Sequence, residues 1–190
     1  MATSAPGRAP GNLRADARRN RARLLEVAHA AFVAGGVTAS MDDIARRSGV
    51  GIGTLYRHFP TREDLVLALV ADDLERLSVR ADELTTAGAP DGVEQWLGEL
   101  VQHNLTYRGL AESVLVASGQ PTALGAACDR VHAAGGALIR SAQSAGTVRI
   151  DIEPTAALDL ASAIAWATQA DPDDARRGEL LRIALDGLRA

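Results

Sequence analysis

The chain has 190 residues, 47% of them hydrophobic, one cysteine and a formal net charge of −4. That length buries one sizeable core, or a small module beside a larger one, and the absence of any charge-free run of about 18 apolar residues argues against a membrane span. With Cys128 as the lone cysteine there is no internal disulfide, which fits a reducing cytoplasm; its ordinary role is a small buried hydrophobe, a reactive thiol being the rarer one.

The net charge conceals a division. Residues 1–62 hold ten arginines against four acids, a balance of +6, while the rest hold ten arginines against twenty acids, a balance of −10. A basic end on an acidic body fits one part that meets a polyanion and another that stays off it. Residues 1–16 read as a flexible basic arm, and their arginines have no apolar stretch behind them as a secretory signal would.

Hydrophobic spacing is helical almost throughout. Leu24, Leu25, Ala28, Ala31 and Phe32 mark an amphipathic helix from about Ala17 to Ala34, stopped by Gly35 and Gly36. Ser40 is placed to cap a short helix over Met41–Ser48, with Asp43 completing a near capping box and Ile44 and Ala45 inward. Gly49 breaks it. A second short helix covers about Gly51–Phe59 and ends at Pro60. Thr61 then caps a long helix through Leu65, Leu69, Leu74 and Leu77 to about Leu84, with Glu63 and Asp64 in its first turn. The turn-rich segment 85–92 is the natural boundary, giving an N-terminal helical module over 17–84 and a second helical domain over 85–190. In the latter, helices are predicted over about Val93–Tyr107, Leu110–Ala117, Pro121–Ala145, Pro154–Ala170 and Asp173–Leu188. Only residues 147–152, TVRIDI, read as an extended connector. The fold class is therefore all-α.

Two short helices around a glycine turn, preceded by one helix and stapled by another, form a helix-turn-helix arrangement. If Leu55 and Phe59 face Ile44 and Phe32, the opposite side of the second helix carries Gly53, Thr54 and Arg57, with Tyr56 and His58 on its flanks. Such a face suits a major groove: hydroxyls of Thr54 and Tyr56 for phosphates, Arg57 for a phosphate or guanine edge, His58 for either, and Gly53 for close backbone approach. Each residue alone has an ordinary alternative as a core aromatic or solvated surface group. Their coincidence with the glycine turn and the basic charge is what favours nucleic acid.

Residues 21–70, and TLYRHFPTREDL above all, resemble the DNA-binding domain of the TetR family of bacterial transcriptional regulators. The resemblance implies that Gly51–Phe59 is the recognition helix, that Thr54 and Tyr56 occupy DNA-contacting positions, and that Arg62 and Ser40 occupy positions that often grip phosphates. It departs at Gly51 and Ile52, where relatives commonly carry serine followed by a basic or polar residue. Glycine is a slightly poorer cap than serine. Ile52 offers no hydrogen bond to a base, only contact with a thymine methyl if it reaches the groove, and helical geometry places it nearer the core.

Past residue 85 the resemblance covers helical organisation alone, and implies a homodimer with a pocket for a small effector. The last two helices carry small and apolar residues on more than one face, including Ala161, Ile164, Ala184 and Leu188, which suits a four-helix interface between two copies or closure of the monomer's own core. Trp96, His103, Tyr107, Cys128 and His132 are candidate effector contacts, with ordinary packing as the alternative. His103 and Tyr107 share one helix face. No metal or other cofactor is expected, because the histidines and cysteine lack ligand spacing. The expected function is a cytoplasmic homodimeric repressor, not an enzyme, released from a pseudo-palindromic operator by an effector. The alternatives are a regulator without an effector and a helical enzyme; against the latter, adjacent acids such as Asp72 and Asp73 diverge on a helix and no nucleophile motif accompanies them.

Overall fold

The computed structural model describes residues 10–35, 39–107, 123–170 and 174–190. Among these, eight helices and no strand are found: α1 Pro10–Gly35, α2 Met41–Ser48, α3 Ile52–His58, α4 Arg62–Ala87, α5 Gly92–Tyr107, α6 Ala123–Ser144, α7 Pro154–Thr168 and α8 Asp174–Leu188. No described helix is long and apolar enough to cross a membrane. The helix expected over Leu110–Ala117 and the N-terminal nine residues lie outside the described residues.

The chain divides into two compact units, one ending at Leu69 and the other beginning at Val70. In the first unit α1, α2 and α3 pack on one another. The apolar stripe of α1, with Leu24, Leu25, Ala28, Ala31 and Phe32, is buried together with Ile44, Ala45, Leu55, Phe59, Leu65 and Leu69. One helix boundary is corrected: α1 begins at Pro10 rather than near Ala17, so residues 10–16 are helical. Proline is preorganised for a first helical turn, and the following Leu13, Arg14 and Ala15 are strong helix formers.

Capping also differs from expectation. Ser40 has the extended backbone of an N-cap (φ −83°, ψ 135°) but makes no side-chain capping bond. The Asp43 carboxylate instead pairs with Arg46 and Arg47, three and four residues on. At the start of α4 the corresponding residues are Leu67 and Ala68. There the reciprocal box closes: Thr61 Oγ1 accepts the Asp64 amide at 3.0 Å and Asp64 Oδ2 accepts the Thr61 amide at 3.0 Å.

In the second unit α5 is central and packs most extensively on α7, with further contact to α6, while α7 packs on α8. Trp96 is wholly buried, donates its indole N–H to the Leu77 carbonyl at 2.9 Å, and lies so close to α6 that a Cβ on Gly135 would fall 2.1 Å from the ring. This one side chain therefore joins α4, α5 and α6. The α4 terminus is closed by left-handed Gly88 (φ +59°), so the helix extends past Leu84 into the segment expected to be a break. The expected extended connector forms a single antiparallel bridge, Val148 with Arg189, rather than a strand.

Candidate nucleic-acid interface

The interface is built on the turn between α2 and α3. Gly49 adopts φ +68°, ψ +19°. With that conformation the Val50 amide reaches the Ala45 carbonyl at 3.2 Å and the Gly49 amide reaches the Arg46 carbonyl at 3.3 Å, the double closure that a left-handed residue permits. Arg23 of α1 donates to the Ser48 carbonyl at 3.0 Å, satisfying another acceptor at the end of α2. Arg21 lies over the Phe59 ring, 5.6 Å from its centroid. Both arginines read in sequence only as positive charge. Their positioning roles depend on partners 25 and more residues away, which no local pattern encodes.

Leu55 of α3 and its C-cap residue Phe59 are buried at 0% and 2% exposure, which fixes the rotation of the helix. The outward side carries Ile52, Gly53, Tyr56 and Arg57, with Thr54 and His58 partly covered. Ile52, which the sequence leaves between the groove and the core, is 40% exposed. As the first helical residue after Gly51, it has no preceding turn to pack on, and the core is already closed by Leu55 and Phe59. Tyr56, expected on a flank, is 47% exposed. Arg57 folds along the helix, with Nη2 donating to Thr54 Oγ1 at 2.7 Å and Nε to the Gly53 carbonyl at 3.3 Å. Its cation is thus held above residues 53 and 54. The His58 ring sits 6.2 Å from that of Phe59.

Ser40 is exposed at the start of α2. Arg62 is partly buried, donates to the Ala39 carbonyl at 2.7 Å, and stands 5.3 Å from the Phe32 ring centroid. The guanidinium thereby ties the start of α4 to the chain entering α2. Gly51 is the N-cap of α3, with extended backbone (φ −61°, ψ 141°).

The residues singled out in the second domain separate. His103 and Tyr107 do come together on α5, their ring centroids 5.1 Å apart. His103 Nδ1 lies 2.6 Å from Asp73 Oδ2 of α4, and Asp73 also pairs with Arg76. Burial would raise the Asp73 carboxyl, but the hydrogen bond and charge of His103, with Arg76, hold it below the usual carboxylate range. Burial and the nearby Asp73 charge push the Tyr107 phenol well above its ordinary range. Trp96 is a packing residue, as described above. Cys128 is half-buried, and burial followed by the Asp129 charge raises its thiol, which disfavours the nucleophilic thiolate. His132 is exposed. A surface groove of about 240 Å³, bordered by Val93, Glu94, Val148, Leu185 and Arg189, is lined by none of these five.

A buried-faced short helix after a left-handed glycine turn, presenting a polar and cationic side outward, defines the first unit as a helix-turn-helix DNA-binding module. Residues 24–69 match the family described as bacterial regulatory proteins, tetR family, and residues 89–190 match the C-terminal domain of SbtR-like transcriptional regulators. The chain belongs to the TetR family of transcriptional regulators, and its function is DNA-binding regulation of transcription rather than catalysis. It is 38% identical to a TetR regulatory protein of Mycobacterium vanbaalenii, with a TM-score of 0.73 over 94% of this chain and 99% of that one. A TetR regulator of Streptomyces coelicolor is 31% identical, with a TM-score of 0.76 over 89% of this chain and 98% of the other. An HTH-type transcriptional regulator of Staphylococcus aureus is 45% identical over 64 residues, a stretch that spans 33% of this chain and 35% of that regulator.

Proposed function

We infer that the protein acts in the cytoplasm as a homodimeric repressor, whose two α3 helices enter successive major grooves of a pseudo-palindromic operator and are released when a small effector binds the second domain. The observation that carries the DNA part is the division of α3: Leu55 and Phe59 are buried, and Ile52, Gly53, Tyr56 and Arg57 face outward. Thr54 and Tyr56 serve phosphates through their hydroxyls. Arg57 exchanges its internal bond to Thr54 for a phosphate or a guanine edge, and His58 borders the same surface. Ser40 and Arg62 approach the backbone from the starts of α2 and α4, where Arg62 also braces α2.

Dimerisation is supported by the last two helices, which expose Leu160 (40%), Trp166 (60%) and Ile183 (54%). Large apolar groups presented on neighbouring helices are the ordinary material of a subunit interface. For an effector, His103 and Tyr107 are the favoured polar contacts, with Cys128 of α6 as a further candidate. Because Asp73, Leu77 and Arg80 of α4 are tied to His103, Trp96 and Gln95 of α5, an effector that moved α5 would act on α4.

The test is selection of fragments from the source genome with the purified full chain. A small set of fragments carrying an inverted repeat, with half-sites about 34–36 Å apart or a multiple of that, is expected. Retention of all fragments alike, or of none, would contradict the proposed operator. Small molecules connected with the genes beside those fragments are then tested for release, and indifference to all of them would favour a regulator without an effector.

A further inference from the structure

The first residue of α3 is the least expected one on its outward face. Ile52 is 40% exposed and stands between Gly51 and Gly53. Neither glycine has a positive φ, and a Cβ built on either would meet no atom within 4 Å. The local fold would accept alanine at Gly53, where glycine inside a helix lowers its stability, whereas at Gly51 glycine also serves as the N-cap, a place where it is preferred to alanine. What the two glycines do provide is clearance. They leave a branched alkyl group standing alone at the end of the helix.

The N-terminal residues of a recognition helix are those that meet base edges. An isoleucine there forms no hydrogen bond, and the apolar feature displayed in the major groove is the C5-methyl of thymine. The rest of the helix points the same way. Residues 51–58 contain no Asn, Gln, Asp, Glu or Lys, so the bidentate carboxamide reading of adenine and the carboxylate reading of cytosine are both missing from α3. Arg57 supplies a guanine reader. For an A·T pair, the thymine methyl is the feature that the exposed alkyl group of Ile52 matches. Tyr56, one turn along and 47% exposed, extends the apolar strip beside it.

We propose that Ile52 is a specificity-determining residue that packs against a thymine methyl in the major groove, with Gly51 and Gly53 giving the bases and backbone room to approach. The proposal rests on the DNA-binding role of α3 argued above and adds the base that its first residue reads.

The experiment uses an operator duplex recovered by genomic selection and replaces each thymine in turn by deoxyuridine, which removes only the methyl. The full-length protein should lose affinity about fourfold at one thymine per half-site, the effect of exposing one methyl-sized apolar group, and nothing of that size elsewhere. Ile52→Ala, an exposed substitution expected to melt like the parent, should bind the thymine duplex more weakly and no longer distinguish uridine at that position. Ile52→Val should retain part of the discrimination. If the parent protein binds every uridine duplex as it binds the original, the methyl is not read and the proposal fails, while α3 remains a DNA-binding helix. A uridine penalty that persists undiminished in Ile52→Ala assigns the methyl to another residue and equally overturns it. If no genomic fragment is retained at all, the DNA-binding role of α3 fails and takes this inference with it.

Discussion

Substituting Gly53 by alanine separates what the fold needs from what DNA needs. Gly53 is the second residue of α3, its φ lies outside the positive range, and an added Cβ would meet nothing within 4 Å. Alanine should therefore stabilise the protein by about 0.4–1 kcal/mol through helix propensity and a less flexible unfolded chain, or about 1–4 °C in melting temperature for a chain of this size. The Arg57 bond to the Gly53 carbonyl uses backbone, so it survives the change. Against DNA the sign reverses. A methyl group on the outward face of α3 occupies space that the groove wall would fill, and a weakening of at least about 1.4 kcal/mol, tenfold in affinity, is expected. Gly49→Ala is the contrasting control: with φ +68° and Arg23 Nη2 3.3 Å from an added Cβ, it should destabilise by about 1–2 kcal/mol. Thermal melts followed by circular dichroism, with fluorescence anisotropy on the selected operator at fixed salt, measure both quantities. Unchanged operator affinity in a stable Gly53→Ala protein would refute the assignment of this face to the groove. A lowered melting temperature would refute the claim that the position is sterically open.

Further outcomes follow from the second domain. Gly135→Ala should destabilise by about 1–3 kcal/mol as an overpacked site, because its methyl would collide with the Trp96 ring, and chemical denaturation should show a lower midpoint with a disturbed Trp96 emission. Asp73 is held below its ordinary range, so its pairing stabilises the fold above about pH 4 and this contribution fades as pH falls through the lowered value. Asp73→Asn should accordingly lose stability at neutral pH and lose less than the parent on further acidification, in melts run between about pH 3 and 7 on a buffer series chosen for that window. Ile183→Arg places a charge among exposed apolar groups of the last two helices, and sedimentation should show it shifted toward monomer with its helical content intact. A variant that sediments like the parent would move the dimer interface elsewhere.

Helical periodicity placed the buried residues of α1 correctly, because Leu24, Leu25, Ala28, Ala31 and Phe32 recur at mixed three- and four-residue steps that a helix, and not a strand, brings to one side. The turn was legible for a similar reason: a glycine between two short helical patterns has few other uses, and Gly49 takes the left-handed conformation. The start of α1 was not, since a polar, arginine-rich segment gives no amphipathic signal even where it is helical. Ile52 was left between groove and core because a helical wheel drawn over Gly51–Phe59 does not fix how the first residue is covered; the helix begins at Ile52 and leaves it exposed. Trp96 drew attention as a rare aromatic; its burial depends on Gly135, far along the sequence and on another helix. Long-range roles of this kind, like those of Arg21 and Arg23 beneath α2 and α3, arise from packing that no window of sequence displays.

If the outward side of α3 holds operator DNA, the salt dependence of operator affinity must differ between the parent and a Tyr56→Phe, Arg57→Ala variant. With melting behaviour unchanged, the variant should bind at least about tenfold more weakly, and the slope of log affinity against log salt should fall by about one where the Arg57 cation neutralises a phosphate, the neutral Tyr56 hydroxyl adding affinity without changing the slope. Coincident affinities and slopes across the salt series would contradict that role of α3.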